Sequence, residues 1–213
     1  MRVGLLAAAL TISVQTICGA QAERVLRAIK FDAPTLAPMA YTQFCVRYVD
    51  ECKARRPIFR GGRIKLTNLR WTELVNVNSS VNSSIRPQPS KVADHEWLLS
   101  RRIGNCNDYS VTKRHELIAR GWPARAVLLS EVATFSGQHH VVVVVRTNIG
   151  DSVLDNLTEV IMPWFQKPFQ WVRIQIPRNP NFWVSVAQPD AARVIVRSPV
   201  PQRLTASNRS GVI

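Results

Sequence analysis

The stretch Gly104-Asn105-Cys106-Asn107-Asp108-Tyr109 gives the clearest structural signal in this sequence. It predicts the start of a helix over residues 106–120, because Asn105 belongs to the residue types that cap helix N-termini. Asp108 falls in the first turn, where a carboxylate complements the positive end of the helix dipole. A Gly-Trp-Pro run at 121–123 ends the predicted helix.

Cys106 is therefore predicted to lie at a helix N-terminus, and this position has two chemical consequences. The helix dipole favours the thiolate, which is the nucleophilic form of cysteine. The backbone N–H of Cys106 has no partner within the helix, so it can donate a hydrogen bond to an oxyanion. The alternative interpretation is a small apolar side chain in the core, as most unpaired cysteines are.

A β-rich half follows this helix. Strands are predicted over 126–132 and 140–147, joined by a hairpin at 133–138, and a turn at 148–151 leads into a short strand at 152–154. The second of these strands contains five consecutive valines. Such a run without polar alternation is typical of a central strand that is covered on both faces.

The N-terminal half is predicted to be helical, with helices over 41–56 and 67–85. In the second helix apolar residues recur at spacings of three and four, and Thr67 is the expected N-cap. Asn78 and Asn82 lie four residues apart on this helix, where we expect them to provide surface polarity or local hydrogen bonds. Helices followed by strands favour an α+β fold, with the helices packed on an antiparallel sheet.

The sequence divides into four segments with different expected roles. They are a signal peptide at 1–22, a loosely packed lead-in at 23–40, a folded domain at 41–197 with further strands at 170–176 and 194–197, and a flexible tail at 198–213.

The first 22 residues have the pattern of a secretory signal. Arg2 precedes an apolar stretch, and Ala20-Gln21-Ala22 fits the pattern of a cleavage site. The apolar stretch is short and interrupted by polar residues, which disfavours a membrane span, although an uncleaved anchor is the alternative. We therefore expect an exported protein, located in the periplasm or secreted.

The four cysteines agree with an oxidising compartment. Cys18 is removed with the signal, and Cys45 and Cys52 lie seven residues apart, which suits a local disulfide. Two buried thiols are the alternative. If the disulfide forms, Cys106 remains as an odd thiol and is a candidate reactive group.

The formal net charge of +14 suggests acidic partners. The basic residues are scattered, however, and the densest cluster, at 53–56, lacks the interleaved aromatic residues of a single-strand binder. Nucleic-acid binding is therefore not expected. The expected partner is a protein or peptide substrate, and the chain is expected to be a monomer.

Histidine and aspartate residues that suit a cysteine nucleophile follow in the β-rich half. His139 and His140 begin the valine-rich strand, and Asp155 ends the next short strand. If these strands pair across the turn, residues near 140 and 155 lie close together, which is what nucleophilic catalysis by Cys106 requires. A zinc site is disfavoured, because no Cys-x-x-Cys or His-x-x-x-His spacing is present.

The sequence also resembles the bacterial transglutaminase-like cysteine peptidases, whose members include a periplasmic protease that releases a biofilm adhesin. The resemblance covers about residues 41–185. The matching motifs are Phe44-Cys45 with Cys52, Leu66-Thr67 with Trp71, Val77-Asn78, Val81-Asn82, Gly104 to Tyr109, Thr112-Lys113-Arg114, the segment 117–123, Gly137 to His140 with Val145-Arg146-Thr147, and the segment 153–157.

The resemblance implies a papain- or transglutaminase-like α+β fold and a cysteine peptidase. It implies Cys106 as nucleophile, His140 as base and Asp155 as the third member of the triad. His140 is preferred to His139 because its distance from Arg146 matches the family's histidine, whereas His139 occupies a glycine position. An inactive binding module on the same fold and an acyl transferase remain alternatives. A membrane protein that regulates the enzyme is a further expectation.

The residues that flank the nucleophile depart from the family pattern. Family members have carboxylates on both sides, which help to hold calcium, whereas this chain has Asn105 and Asn107. Asn105, Asn107 and Asp108 remain as weak calcium candidates. Because calcium favours carboxylate oxygens, the sequence predicts weak or absent calcium dependence and no other cofactor.

Overall fold

A computed structural model describes residues 27–54, 63–88 and 96–189 of this chain. The predicted signal peptide, the tail at 198–213 and the strand expected at 194–197 lie outside the described residues.

The described residues form four α-helices. They are α1 (Met39–Arg47), α2 (Val49–Cys52), α3 (Asn68–Ser84) and α4 (Cys106–Ala119). Thr67 caps α3 by accepting a hydrogen bond from the backbone N–H of Arg70, as the sequence predicted. The single helix expected over 41–56 is divided at Tyr48, so α1 and α2 are separate helices. None of the helices in these ranges is both long and apolar enough to cross a membrane.

Nine strands are found in the described residues. They are β1 (Phe31–Thr35), β2 (Arg86–Pro87), β3 (Ile103–Gly104), β4 (Val127–Ala133), β5 (His139–Thr147), β6 (Gly150–Leu154), β7 (Met162–Pro163), β8 (Gln170–Ile176) and β9 (Asn179–Val186). Seven of them form an antiparallel sheet in the order β1-β9-β8-β4-β5-β6-β7, and β2 pairs with β3 in parallel.

The valine-rich strand β5 lies inside the sheet and contributes to two cores. Val141, Val143 and Val145 face the helices, where they pack with residues such as Leu74 and Leu117. Val142 and Val144 face the other side, which is covered by Trp164 and Trp171 among others. The expectation that this strand is covered on both faces is therefore confirmed, and the domain is α+β with helices packed on an antiparallel sheet.

Two strands differ from what the sequence suggested. The lead-in was expected to be loosely packed, but residues 31–35 within it form edge strand β1, which pairs with β9. Pro34 fits there because an edge strand has backbone N–H groups that need no partner. The strand β9 itself was not predicted, since Pro180 interrupts its pattern.

The predicted disulfide between Cys45 and Cys52 is present and joins α1 to α2. The segment formed by α1 and α2 is attached to the rest of the domain by Glu51. Both the backbone oxygen and the carboxylate of Glu51 accept hydrogen bonds from Arg114 on α4, at 3.0 and 3.2 Å. The disulfide loop is thus fixed to the helix that begins with Cys106.

Candidate active site

Helix α4 begins with a capping box that fixes the position of Cys106. The Asn105 side chain accepts a hydrogen bond from the backbone N–H of Asn107 at 3.0 Å. Asp108 accepts one from the N–H of Asn105 with Oδ2, at 3.0 Å, and one from the N–H of Leu98 with Oδ1, at 2.8 Å. A Cβ at position 104 would lie 2.5 Å from Asp108 Oδ2, so this cap requires Gly104.

The helix is also attached directly to the strand that carries the histidines. Ser110 donates a hydrogen bond from its hydroxyl to the backbone oxygen of Val141, at 2.8 Å. Cys106, which is not in a disulfide, lies one helical turn before Ser110 and is partly buried. No described residue accepts a hydrogen bond from the backbone N–H of Cys106.

His140 lies between the thiol and a carboxylate. Its Nε2 is 2.8 Å from Asp155 Oδ1, and both side chains are buried. Since Nε2 donates to the carboxylate, Nδ1 is the nitrogen left for Cys106, which is near enough to interact with the ring. The thiol itself donates a long hydrogen bond to Asn107 Oδ1, at 3.8 Å. Burial works to lower the pKa of His140, but the hydrogen bonds and negative charges of Asp155 and Cys106 outweigh it and raise the pKa to about 9.

Asp155 follows β6, whose pairing with β5 brings Leu154 opposite Val143. Its Oδ1 also accepts the backbone N–H of Leu157 at 3.1 Å. Burial alone would raise the pKa of Asp155. The hydrogen bond from His140 and the positive charges of His140 and Lys167 have the larger combined effect and hold the pKa well below its usual range.

Lys167 is part of this site although no sequence pattern indicated it. Its ammonium donates to Asp155 Oδ2 at 3.0 Å, so the carboxylate is bound on both oxygens. The Phe169 ring packs beside both neighbours, 5.8 Å from the His140 ring and 5.5 Å from Lys167 Nζ. Phe169 thereby restricts the access of water to the pair.

Asn78 and Asn82 have a different role from the one expected. Asn78 is fully buried and donates to the backbone oxygen of Glu159 at 3.1 Å. Asn82 donates to the backbone oxygen of Asp155 at 3.1 Å and to the Glu159 carboxylate at 3.0 Å. The expectation of surface polarity or local bonds was therefore wrong, because α3 turns this face towards the loop that carries Asp155. The four-residue spacing on one stripe was the available signal.

His139 points away from this cluster. Its side chain is 74% exposed, and its Nδ1 lies 2.8 Å from the carboxylate of Glu131 on the neighbouring strand β4. Glu131 also accepts a hydrogen bond from Arg173 on β8. Of the two histidines, the structure therefore brings His140 and not His139 to Cys106 and Asp155.

Cys106 and His140 open onto a cleft of about 830 Å³. One wall comes from the start of α1 and includes Met39, and the other includes Leu157 from the loop after β6. Both of these apolar side chains are largely exposed. The cleft is large enough for an extended peptide segment, which makes it suitable for a protein substrate.

This fold, with a thiol at a helix start beside a buried histidine–aspartate pair, defines a cysteine hydrolase of the α+β class. The sequence profile of the bacterial transglutaminase-like cysteine proteinases (BTLCP) matches residues 31–191, and the chain belongs to this family. It is therefore a cysteine peptidase.

Solved structures of Legionella pneumophila LapG are similar to this chain. One LapG structure is 17% identical, covers 78% of this chain and 86% of its own, and has a TM-score of 0.47. The calcium-bound form is 16% identical, covers 81% of this chain and 91% of its own, and has a TM-score of 0.48. The EGTA-treated form is 16% identical, covers 82% of this chain and 91% of its own, and has a TM-score of 0.47. No curated protein sequence matched this chain.

Proposed function

We propose that this chain is an exported peptidase that hydrolyses amide bonds of a protein substrate with Cys106 as nucleophile, His140 as base and Asp155 as the orienting acid. The observation that carries the proposal is the position of His140, with Nε2 2.8 Å from a buried carboxylate and with the Cys106 thiol, at a helix N-terminus, near enough to interact with the ring. Each contact supplies one requirement of nucleophilic catalysis.

The reaction begins when His140 Nδ1 takes the proton of the Cys106 thiol. The thiolate attacks the substrate carbonyl carbon, and the backbone N–H of Cys106 donates to the developing oxyanion. As the C–N bond breaks, the imidazolium gives its proton to the leaving amine and a thioester remains. A raised pKa of His140, about 9, keeps the imidazolium available at neutral pH. Water then attacks the thioester, with His140 as base, and releases the acid product.

A peptidyl vinyl sulfone, which forms a thioether with a reactive cysteine, tests the roles of the three residues. We expect labelling of the mature protein to be lost in Cys106→Ala and to fall strongly in His140→Ala. Asp155→Asn is expected to slow labelling by roughly 10²–10⁴-fold, as in other triads. His139→Ala is the matched control and retains labelling.

The proposal is wrong if His140→Ala and His139→Ala label equally fast. An iodoacetamide rate for Cys106 no greater than that of free cysteine at neutral pH would instead favour a binding module. Transfer to an amine is distinguished by the products, because a cleaved substrate that gains an added primary amine identifies an acyl transferase.

We further propose that the reaction depends weakly or not at all on calcium. The residues that flank Cys106 in sequence do not fit this ion, since they provide one carboxylate, Asp108, and both of its oxygens already accept backbone N–H groups. No group of three or more histidine, cysteine or acidic side chains suited to a metal occurs within the described ranges. Labelling by the vinyl sulfone should be equal in EGTA and in 1 mM calcium (about the concentration that saturates weak sites), and loss in EGTA would contradict this.

Export to the periplasm is proposed from the pattern of residues 1–22 and is supported by the disulfide between Cys45 and Cys52. N-terminal sequencing of the protein from a periplasmic extract should begin at Glu23. Recovery of the chain with residues 1–22 still attached, in the membrane fraction, would favour an uncleaved anchor. Control by a membrane protein is a proposal that rests on the family resemblance.

A further inference from the structure

Asp155 is bound by two cations, and the proposed triad uses only one of them. The carboxylate gives Oδ1 to His140 and Oδ2 to Lys167, at 2.8 and 3.0 Å. The side chains of Asp155 and Lys167 are 1% and 3% exposed. An ammonium this far from water is costly unless it is paired, so its place beside the carboxylate needs a reason.

We propose that Lys167 is a positioning residue of this site, whose ammonium orients the Asp155 carboxylate and sets how strongly that carboxylate attracts the proton on His140. The inference rests on the proposed function, because it concerns the same histidine. Lys167 is buried and does not line the cleft, so it acts through Asp155.

Orientation follows from the geometry of the carboxylate. With Oδ2 held by Lys167 and Oδ1 also held by the backbone N–H of Leu157, the carboxylate cannot rotate without losing a hydrogen bond. Oδ1 is therefore kept in line with His140 Nε2. Phe169 packs beside His140 and Lys167, so water does not readily replace either partner.

The charges around Asp155 determine the direction of the effect on His140. The ionisable groups from the elements packed here are His140 on β5, Cys106 and Lys113 on α4, Glu159 on the same loop, and Lys167. The Lys167 ammonium neutralises part of the carboxylate charge that stabilises the imidazolium. Without it, loss of the His140 proton would leave a less compensated buried carboxylate, so His140 would hold its proton to higher pH.

The test is an NMR titration of His140 in the mature protein, which needs no substrate. The chain has four histidines, so the ring resonance of His140 can be assigned by its loss in His140→Gln. Lys167→Met, which removes charge and donor, should raise the pKa of His140 by about half a unit or more. Lys167→Arg, which keeps both, should leave the pKa within about 0.2 units of wild type.

A double-mutant cycle separates this role from a purely structural salt bridge. Because the Lys167 charge also acts on the imidazolium directly, the cycle is measured by the vinyl sulfone reaction. In an Asp155→Asn background Lys167→Met should no longer slow labelling of Cys106, because the carboxylate that Lys167 orients has been removed. An unchanged pKa of His140 in Lys167→Met, or equal slowing of labelling in both backgrounds, overturns the proposal. If Lys167→Met does not fold by circular dichroism, Lys167→Gln carries the same expectation, since it is neutral but can still donate to Oδ2.

The vinyl sulfone reaction distinguishes failure of this inference from failure of the proposed function. Lys167→Met should slow labelling of Cys106 about 10-fold or more in the Asp155 protein and less than about twofold in the Asp155→Asn protein. A raised pKa of His140 in Lys167→Met, without any labelling of the wild-type protein, would contradict the peptidase mechanism and leave the positioning contact intact.

Discussion

At the residue scale, the charged side chains of the active-site region are held in an unusually dry environment. Lys113 is 1% exposed, and its ammonium has no hydrogen-bond partner in the parts of the chain that the structure describes. Burial lowers the pKa of Lys113 to about 7, although the charges of Asp155 and Glu159 act in the opposite direction. This residue therefore reduces stability wherever the unfolded chain would hold its proton, that is, below about pH 10.5.

Lys113→Met is expected to stabilise the protein at neutral pH, by an amount that depends on pH. The unfolded chain keeps the Lys113 proton up to about pH 10.5 and the folded protein only to about 7. Between these values the unfolded state binds more protons, so this group makes wild type more stable as pH rises.

The advantage of Lys113→Met in denaturant unfolding should thus be largest at or below pH 7 and shrink towards pH 10.5. Lys65→Met, at an exposed position, is the matched control and should show no such trend. A stability difference between Lys113→Met and wild type that stays constant across this range would contradict the expected cost of burying the charge.

At the element scale, the start of α4 determines both helix stability and the position of the thiol. The capping box joins Asn105 and Asp108 in both directions, and Gly104 leaves the space that the Asp108 carboxylate needs. Cys106 lies between these two capping residues. Its sulfur can therefore keep its position only while the cap is formed.

Asn105→Ala should lower the free energy of unfolding by about 1 kcal/mol, because the backbone N–H groups of the first turn lose their acceptor. The same change should slow alkylation of Cys106 by iodoacetamide in the folded protein. Asn105→Asp is the control: it preserves the cap, so its free energy of unfolding should stay close to wild type. Equal destabilisation by both substitutions would show that the Asn105 side-chain cap does not contribute to the free energy of unfolding.

At the scale of the whole molecule, the disulfide connects the helical segment to both the catalytic helix and the sheet. Next to Cys52, Glu51 accepts hydrogen bonds from Arg114 on α4. The backbone oxygen of Cys52 accepts one from the side chain of Asn181 on β9, at 3.1 Å. Opening the disulfide loop is therefore expected to weaken contacts with α4 and β9.

Replacing both Cys45 and Cys52 with serine should lower the free energy of unfolding by about 2–3 kcal/mol, the value for closing so short a loop. Dithiothreitol should lower the stability of wild type by a similar amount and leave the double variant unchanged. Sensitivity of the variant to the reductant would mean that another thiol-dependent contact contributes.

Local sequence signals were enough to predict the elements that depend on neighbouring residues. The caps at Thr67 and Asn105, the valine-rich strand and the seven-residue spacing of the disulfide are all local signals, and the structure contains each of them. The order of helices and strands also gave the α+β class.

The polar groups that meet behind the nucleophile come from distant parts of the chain and could not be predicted from the sequence. Asn82 donates a hydrogen bond to the backbone oxygen of Asp155, 73 residues later in the chain. Lys167 binds the Asp155 carboxylate from a segment without periodicity. Edge strand β1 likewise depends on pairing with β9, more than 140 residues later. Such contacts carry no local pattern, because a buried ion pair or an edge pairing becomes favourable only after the sheet has excluded water and brought distant segments together.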